Sequence, residues 1–143
     1  MPEDAPRIKI QNTKDLGAEV ILYDRLSESR EKIGQKISKE RLLSLIPPYD
    51  HNDVIAGQGT VGLEIASQAK QIGIGHADVL VCCGGGGLTS GIAVALSNLM
   101  PNFVTRPVEP EGFDDVVRSL KIGERQINKN CLLYTSDAAD EED

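Results

Sequence analysis

A run of four glycines between two apolar stretches constrains the fold more than any other feature of this 143-residue sequence. Residues 79–83 read Val-Leu-Val-Cys-Cys, Gly84–Gly87 follow, and apolar residues then recur at helical spacing from a start near Thr89. This order predicts a buried strand, a glycine loop and a helix. Glycines let consecutive backbone N–H groups turn inward, and a helix N-terminus adds unpaired donors. We therefore expect an anion site here, with a glycine-rich turn that binds nothing as the alternative.

Outside this motif, segments with strand and helix spacing alternate along the sequence. That order is typical of an α/β fold with parallel strands and flanking helices. Prolines and polar residues between positions 47 and 53 interrupt it, as expected at a domain boundary. We expect strands at 18–23, 42–46, 77–83 and 103–108, and helices between Asp4 and Gly17, from Ser27, after Gly57, near Thr89 and from Asp114.

The formal charge of −7 comes mostly from the end of the sequence. Residues 1–130 carry 15 basic and 17 acidic side chains, whereas residues 131–143 carry five acidic side chains and no basic one. With no basic patch and 3% aromatic residues, no nucleic-acid partner is expected. The apolar runs are too short to cross a bilayer and no secretory leader opens the sequence, so we expect a cytoplasmic protein without a membrane partner.

The segment 131–143 has no period that continues the preceding pattern. It resembles the conceptual translation of an adaptor used in sequencing libraries. We therefore interpret it as a non-native, disordered tail and leave it out of the fold prediction. A natural acidic tail is the alternative.

Gly57, Gly59 and Gly62 match the GxGxxG pattern of dinucleotide-binding loops. That pattern needs a preceding strand and an acidic residue about 20 positions later, at the end of the next strand. Only Val54–Ala56 precede these glycines, and Asp78 comes before the next strand rather than at its end. We therefore favour a tight turn and close helix packing as their role, and keep an NAD(P)-binding oxidoreductase domain as an alternative.

A second group of candidate ligands follows the strand expected at 103–108. Glu109 would lie at the end of that strand and Asp115 in the first turn of the next helix. Both carboxylates could therefore reach one hard cation, with a loop carbonyl between them. In the alternative, Asp114 or Asp115 caps the helix and Glu109 is solvated.

Four blocks of this sequence together resemble the pyridoxal-phosphate-dependent serine/threonine dehydratase and serine racemase family. They are Gly17–Tyr23, Val54–Ile65, Gly84–Leu88 and Val108–Asp115. The resemblance implies a partial, incomplete tryptophan-synthase-β-like α/β fold, with residues 1–48 in the small domain and 49–130 in the large, phosphate-binding domain.

The resemblance also assigns site residues. It implies that the cofactor phosphate of pyridoxal 5'-phosphate is held by backbone N–H groups of Gly84, Gly85, Gly86, Gly87 and Leu88. It further implies that Glu109, the Phe113 carbonyl and Asp115 match a site for Mg²⁺, Mn²⁺ or Ca²⁺.

The family's Schiff-base lysine lies in a Ser-x-Lys-x-Arg-like segment, and no lysine here has those flanks. We therefore assign no catalytic residue, interpret the sequence as an internal fragment and expect it to be inactive alone. The resemblance implies that the parent is a homo-oligomer that converts a small hydroxy-amino acid, such as L-threonine or L-serine, to a 2-oxo acid and ammonia. A serine racemase-type isomerase and a non-catalytic phosphate-binding module are the alternatives.

Overall fold

The computed structural model describes residues 1–128, which divide into two compact units, 1–46 and 47–128. The tail predicted at 131–143 lies outside the described residues. Within the described part of the chain, no helix is both long enough and apolar enough to cross a membrane.

The unit formed by residues 1–46 contains two helices, α1 (Arg7–Asp15) and α2 (Arg30–Arg41). Gly17 follows α1 with a φ of 83°, the left-handed conformation expected of a glycine just past a helix end. The predicted cap at Asp4 is wrong, since α1 begins after Pro6 and Asp4 pairs with Arg25 at 2.6 Å. The predicted start of α2 at Ser27 is also wrong by two residues: Ser29 caps this helix.

The strand predicted at 18–23 is wrong. A single parallel bridge joins Tyr23 to Pro2, with hydrogen bonds of 3.0 Å from Tyr23 N–H to the Met1 carbonyl and from Glu3 N–H to the Tyr23 carbonyl. A strand needs a hydrogen-bonded neighbour along its length. Among the described residues, 18–23 has such a neighbour only over its last three residues, where the Met1 amino group also donates to the Ile21 carbonyl at 2.6 Å.

The strand predicted at 42–46 is wrong as well, so the expected βαβ unit does not form within residues 1–46. Leu42 takes a left-handed φ of 53° and ends α2. Leu43 N–H then bonds the Ser38 carbonyl at 2.9 Å, while the Ser38 hydroxyl donates to the Leu43 carbonyl at 2.6 Å. These bonds fold the chain back on α2, which uses the backbone groups that a strand would pair.

The unit formed by residues 47–128 contains two parallel strands and three helices. The strands, β1 (Ala77–Cys82) and β2 (Phe103–Val108), lie close to the predicted bounds. They pair along their whole length, with Ala77 opposite Phe103 and Cys82 opposite Val108. The chain crosses from β1 to β2 through the helix α4 (Gly87–Leu99). The elements in order are α3 (Asn52–Gln71), β1 (Ala77–Cys82), α4 (Gly87–Leu99), β2 (Phe103–Val108) and α5 (Asp115–Ile122).

The core lies where α3, α4 and one face of the strand pair meet. Leu96 of α4 is fully buried at its centre, and Val81 of β1 is 5% exposed. The opposite face of the pair is open among the described residues, since Leu80 is 70% exposed. The buried members of this core are Ala66, Ala69, Val81, Ile92, Leu96, Met100 and Phe103.

Candidate functional site

The glycine loop lies at the carboxyl end of β1, directly before α4, as the sequence predicts. Cys83 N–H donates to the Val108 carbonyl at 2.8 Å, which extends the strand pairing to the residue before the loop. Gly86 caps α4 with a φ of 82°, a conformation that side chains rarely adopt. The strand and the helix therefore fix both ends of the loop.

The loop forms one wall of a cavity of about 300 Å³. A Cβ atom added to Gly85 would lie 2.1 Å from Cγ of Tyr49, so the ring of Tyr49 fills the space beside this glycine. No charged side chain lines the cavity within the described residues. The lining residues are Pro48, Tyr49, Gln58, Cys82, Gly84, Gly85, Gly86, Gly87, Leu88 and Thr89.

Hydrogen-bond donors converge on this cavity from the start of α4. The first α-helical hydrogen bond runs from Ser90 N–H to the Gly86 carbonyl at 2.9 Å. The N–H groups before Ser90 belong to the turn that has no acceptor within its own helix. They also carry the positive end of the helix dipole. An anion in the cavity would therefore meet backbone donors and a favourable field.

One side-chain atom at the cavity also lacks a partner. Thr89 Oγ1 has less than 1 Å² of exposed surface and no hydrogen-bond partner among the described residues. An unpaired buried hydroxyl costs about 1–3 kcal/mol of folding free energy. A loop whose Gly85 admits no side chain, next to free donors and an unpaired hydroxyl, fits a phosphate group.

Gly57, Gly59 and Gly62 lie inside α3, so the dinucleotide-loop alternative and the predicted tight turn are both wrong. The predicted close packing of helices is confirmed. A Cβ atom on Gly62 would lie 2.7 Å from Cβ of Ala95, and one on Gly91 would lie 2.5 Å from N of Gly59. Gly59, Gly62 and Gly91 let α3 approach α4 closely, whereas Gly57 makes no such contact. The continuous helix leaves no strand or loop for a dinucleotide.

The carboxylate of Glu109 caps α5 rather than standing free in solvent. Its two oxygens accept hydrogen bonds from Val116 N–H at 3.0 Å and from Val117 N–H at 2.8 Å. Asp115 Oδ1 accepts a hydrogen bond of 2.8 Å from the Asn128 side-chain amide. Within residues 1–128, no three His, Cys, Asp or Glu side chains are grouped as they would be around a metal ion. The predicted cation site at Glu109, Phe113 and Asp115 stays a prediction.

Asp114 directly precedes α5 and pairs with Arg118 one turn later. The Arg118 guanidinium lies 2.9 Å from Asp114 Oδ1, and this hydrogen bond lowers the pKa of the Asp114 carboxyl. Asp114 makes no side-chain capping bond. The alternative in which Asp114 or Asp115 caps the helix and Glu109 is solvated is therefore wrong.

Three residues that line the cavity were not predicted as site residues from the sequence. Tyr49 stands in the proline-rich loop and Gln58 inside the glycine pattern of α3, and only the packing brings them to the cavity. Thr89 directly follows the predicted phosphate-binding residues. Its position in the first turn of α4 is the sequence feature that could have indicated a place in the site.

Comparison with known proteins shows the family that this chain resembles. A family model described as "Pyridoxal-phosphate dependent enzyme" matches residues 1–140. Serine racemase from Schizosaccharomyces pombe is 45% identical over 124 residues, which are 86% of this chain and 37% of that protein. L-threo-3-hydroxyaspartate ammonia-lyase from Saccharomyces cerevisiae is 46% identical over 124 residues, with 86% and 36% covered.

Solved structures share the fold of the chain. Maize serine racemase superposes with a TM-score of 0.79 at 35% identity, covering 88% of this chain and 37% of that one. The processed form of threonine deaminase isoform 2 from Solanum lycopersicum gives a TM-score of 0.75 at 36% identity, with 88% and 36% covered. The chain thus spans little more than a third of these relatives.

Proposed function

The chain belongs to the family of pyridoxal-phosphate-dependent enzymes, and from that premise we propose that its glycine loop holds the phosphate of the cofactor. The proposed ligands are the backbone N–H groups of Gly84, Gly85, Gly86, Gly87 and Leu88. The single observation that carries the proposal is the cavity at this loop, which combines a helix N-terminus with a Gly85 that has no room for a side chain.

The chain's own residues anchor the group rather than react with substrate. The left-handed Gly86 aims the start of α4 at the cavity, and the Cys83–Val108 hydrogen bond holds the other end of the loop to β2. The Tyr49 ring packs against Gly85. A phosphate held by neutral donors at a helix N-terminus keeps its negative charge and its position.

For the parent enzyme we propose β-elimination on a small hydroxy-amino acid such as L-serine or L-threonine. When bound, pyridoxal phosphate supplies an electron sink for loss of the α-proton. The β-hydroxyl then leaves, and the product hydrolyses to a 2-oxo acid and ammonia. Relatives named as ammonia-lyases and dehydratases support this reaction, and relatives named as serine racemases favour isomerisation as the second candidate.

The remaining assignments rest on the same family. We propose that residues 1–48 and 49–130 are parts of a small and a large domain, and the division into compact units between Ile46 and Pro47 supports a boundary close to this one. We also propose a divalent cation at Glu109, Phe113 and Asp115, where each Glu109 oxygen would use a lone pair that its hydrogen bond to α5 leaves free. A homo-oligomeric parent is proposed from the family alone, and the cytoplasmic location expected from the sequence is kept as a proposal.

A graft into a relative tests the proposed reaction. In the ammonia-lyase from Saccharomyces cerevisiae, the matched 124 residues are replaced by those of this chain. We expect the hybrid to release a 2-oxo acid and ammonia from a hydroxy-amino acid, measured by coupled assay. The same hybrid with Gly85→Ala is the control and should lose this activity, because the added methyl group meets the Tyr49 ring. A folded hybrid that releases no 2-oxo acid would contradict the proposal.

Alone, the chain is expected to be inactive, because none of its lysines has the flanks of the family's Schiff-base segment. The 143-residue chain is mixed with pyridoxal phosphate and L-serine or L-threonine, and pyruvate or 2-oxobutanoate is measured. Any turnover above that of the free cofactor would show that a lysine of this chain does supply the chemistry.

A further inference from the structure

We propose that the Thr89 hydroxyl is a further ligand of the bound phosphate, in addition to the backbone donors of the glycine loop. The inference rests on the proposed phosphate site and deepens it. Thr89 lines the cavity beside Leu88, at the third position of α4. Its hydroxyl oxygen is buried and has no partner among the described residues.

The other threonines in the described helices show what a helical hydroxyl ordinarily does. Thr13 of α1 donates to the Lys9 carbonyl at 2.7 Å, and Thr60 of α3 donates to the Gly57 carbonyl at 2.8 Å. Such bonds one turn back are the usual way in which this side chain is satisfied within a helix. Thr89 makes no bond of this kind. Its lack of a partner is therefore particular to its place and does not follow from being helical.

The position of Thr89 offers few local acceptors. One turn back from it stand Gly85 and Gly86, so a bond like those of Thr13 and Thr60 would have to go to a carbonyl of the glycine loop or of the helix cap, and no such bond is made. To reach a phosphate oxygen in the cavity, the hydroxyl, which is covered in the ligand-free chain, would turn about χ1, and that oxygen would then be the acceptor that it lacks. Because no charged side chain lines the cavity within residues 1–128, each neutral donor contributes a large share of the binding free energy of the anion.

The chemistry of threonine suits this role. A hydroxyl donates one hydrogen bond to a phosphate oxygen without bringing a charge into the cavity. The β-branched side chain has few rotamers, so little conformational freedom is lost when it is fixed on the ligand. Valine has nearly the same shape without the hydroxyl, and serine keeps the hydroxyl without the methyl group.

The test is titration of the full chain with inorganic phosphate and, separately, with pyridoxal 5'-phosphate, followed by ¹⁵N–¹H NMR of the glycine-loop amides. We expect Thr89→Val to weaken binding of both probes about tenfold, the loss of one hydrogen bond to a charged group. Thr89→Ser should stay within about twofold of the unchanged chain. Ser90→Ala, at the exposed neighbouring position, is the matched control and should not change binding.

The melting temperature without ligand is a second measurement, and Thr89→Val should raise it although the same substitution lowers affinity. Thr89→Val removes a buried hydroxyl that has no partner, so the ligand-free variant should melt at a higher temperature than the unchanged chain. A side chain with only a structural role would not lose affinity and gain stability together.

The outcomes separate the two proposals. If the amides of Gly84–Leu88 shift with phosphate but Thr89→Val binds as tightly as the unchanged chain, the hydroxyl role is overturned and the phosphate site stands. If Thr89→Ser binds as weakly as Thr89→Val, the methyl group rather than the hydroxyl matters, and the inference is overturned. If neither probe shifts the loop amides of the unchanged chain, the phosphate site itself is overturned.

Discussion

Gly91 and Gly57 show how differently two helical glycines can matter. A Cβ atom on Gly91 would lie 2.5 Å from both N of Gly59 and the Ile55 carbonyl oxygen, whereas one on Gly57 would have nothing within 4 Å. Backbone atoms cannot move aside as the end of a flexible side chain can. Gly91 is therefore required by packing, while Gly57 only weakens its helix.

We predict that Gly91→Ala destabilises the chain by about 1–3 kcal/mol, the usual effect of overpacking a tight contact. Gly57→Ala should instead stabilise it by about 0.5–1 kcal/mol, because alanine favours the helix. Urea unfolding of the two variants measures the difference. Equal effects of the two substitutions would mean that α3 and α4 do not pack as described.

At the same scale, the Asp114–Arg118 pair predicts a dependence on pH. Its hydrogen bond lowers the pKa of Asp114 in the folded chain, so the pair stabilises the fold above the carboxyl's ordinary pKa. That stability is lost as the pH falls from about 4 through the lowered pKa. Asp114→Asn should therefore lower the melting temperature at pH 7 and have a smaller effect at pH 3. If Asp114→Asn lowers the melting temperature equally at pH 7 and at pH 3, the stabilising role of the Asp114–Arg118 pair is contradicted.

At the scale of elements, α5 depends on a residue outside its own sequence. Glu109 stands at the end of β2 and accepts from the Val116 and Val117 N–H groups, so a carboxylate seven or eight positions earlier does the work of a helix cap. Its negative charge also suits the positive end of the helix dipole. The strand and the helix after it are thereby joined by one side chain.

We predict that Glu109→Ala destabilises the chain by about 1 kcal/mol, the usual effect of losing a cap. Glu109→Gln keeps one acceptor oxygen and should have a smaller effect. Glu111→Ala, at an exposed position two residues later, is the control and should be neutral. Denaturant unfolding compares the three variants, and a Glu111 effect as large as that of Glu109 would remove the capping role.

The elements also show what could be predicted from the sequence. Strand β1, the glycine loop and α4 follow from local pattern, because an apolar run, four glycines and a helical period stand side by side. The strands predicted at 18–23 and 42–46 do not form, because an apolar pattern indicates which residues tend to be buried but not which strand they would pair with. In the site, Glu109 was singled out, but its role as a cap depends on a bond across a loop that no spacing rule reveals.

At the scale of the whole molecule, burial is unequal between the two units. Every buried residue of the described chain lies in the unit formed by residues 47–128, and none lies in residues 1–46. Hydrophobic burial is the main force that opposes the loss of chain entropy on folding. The two units should therefore differ in their ability to fold alone.

We predict that a peptide of residues 47–128 unfolds in one cooperative thermal transition, followed by far-ultraviolet circular dichroism. A peptide of residues 1–46 should show a gradual loss of signal, because short helices without a core are marginal in water. A cooperative transition for residues 1–46, or none for residues 47–128, would contradict the assignment of the core.

The contiguity of β1, the glycine loop, α4 and β2 sets an order for assembly. Contacts between nearby segments form sooner than distant ones, because closing a shorter loop loses less chain entropy. The turn between β1 and α4 joins segments that are adjacent in the chain, so it can form before α3 docks on α4 through contacts such as that of Gly59 with Gly91. On that route the glycine loop, the proposed phosphate site, exists early, and a ligand present during folding would meet its proposed backbone donors before the core is complete.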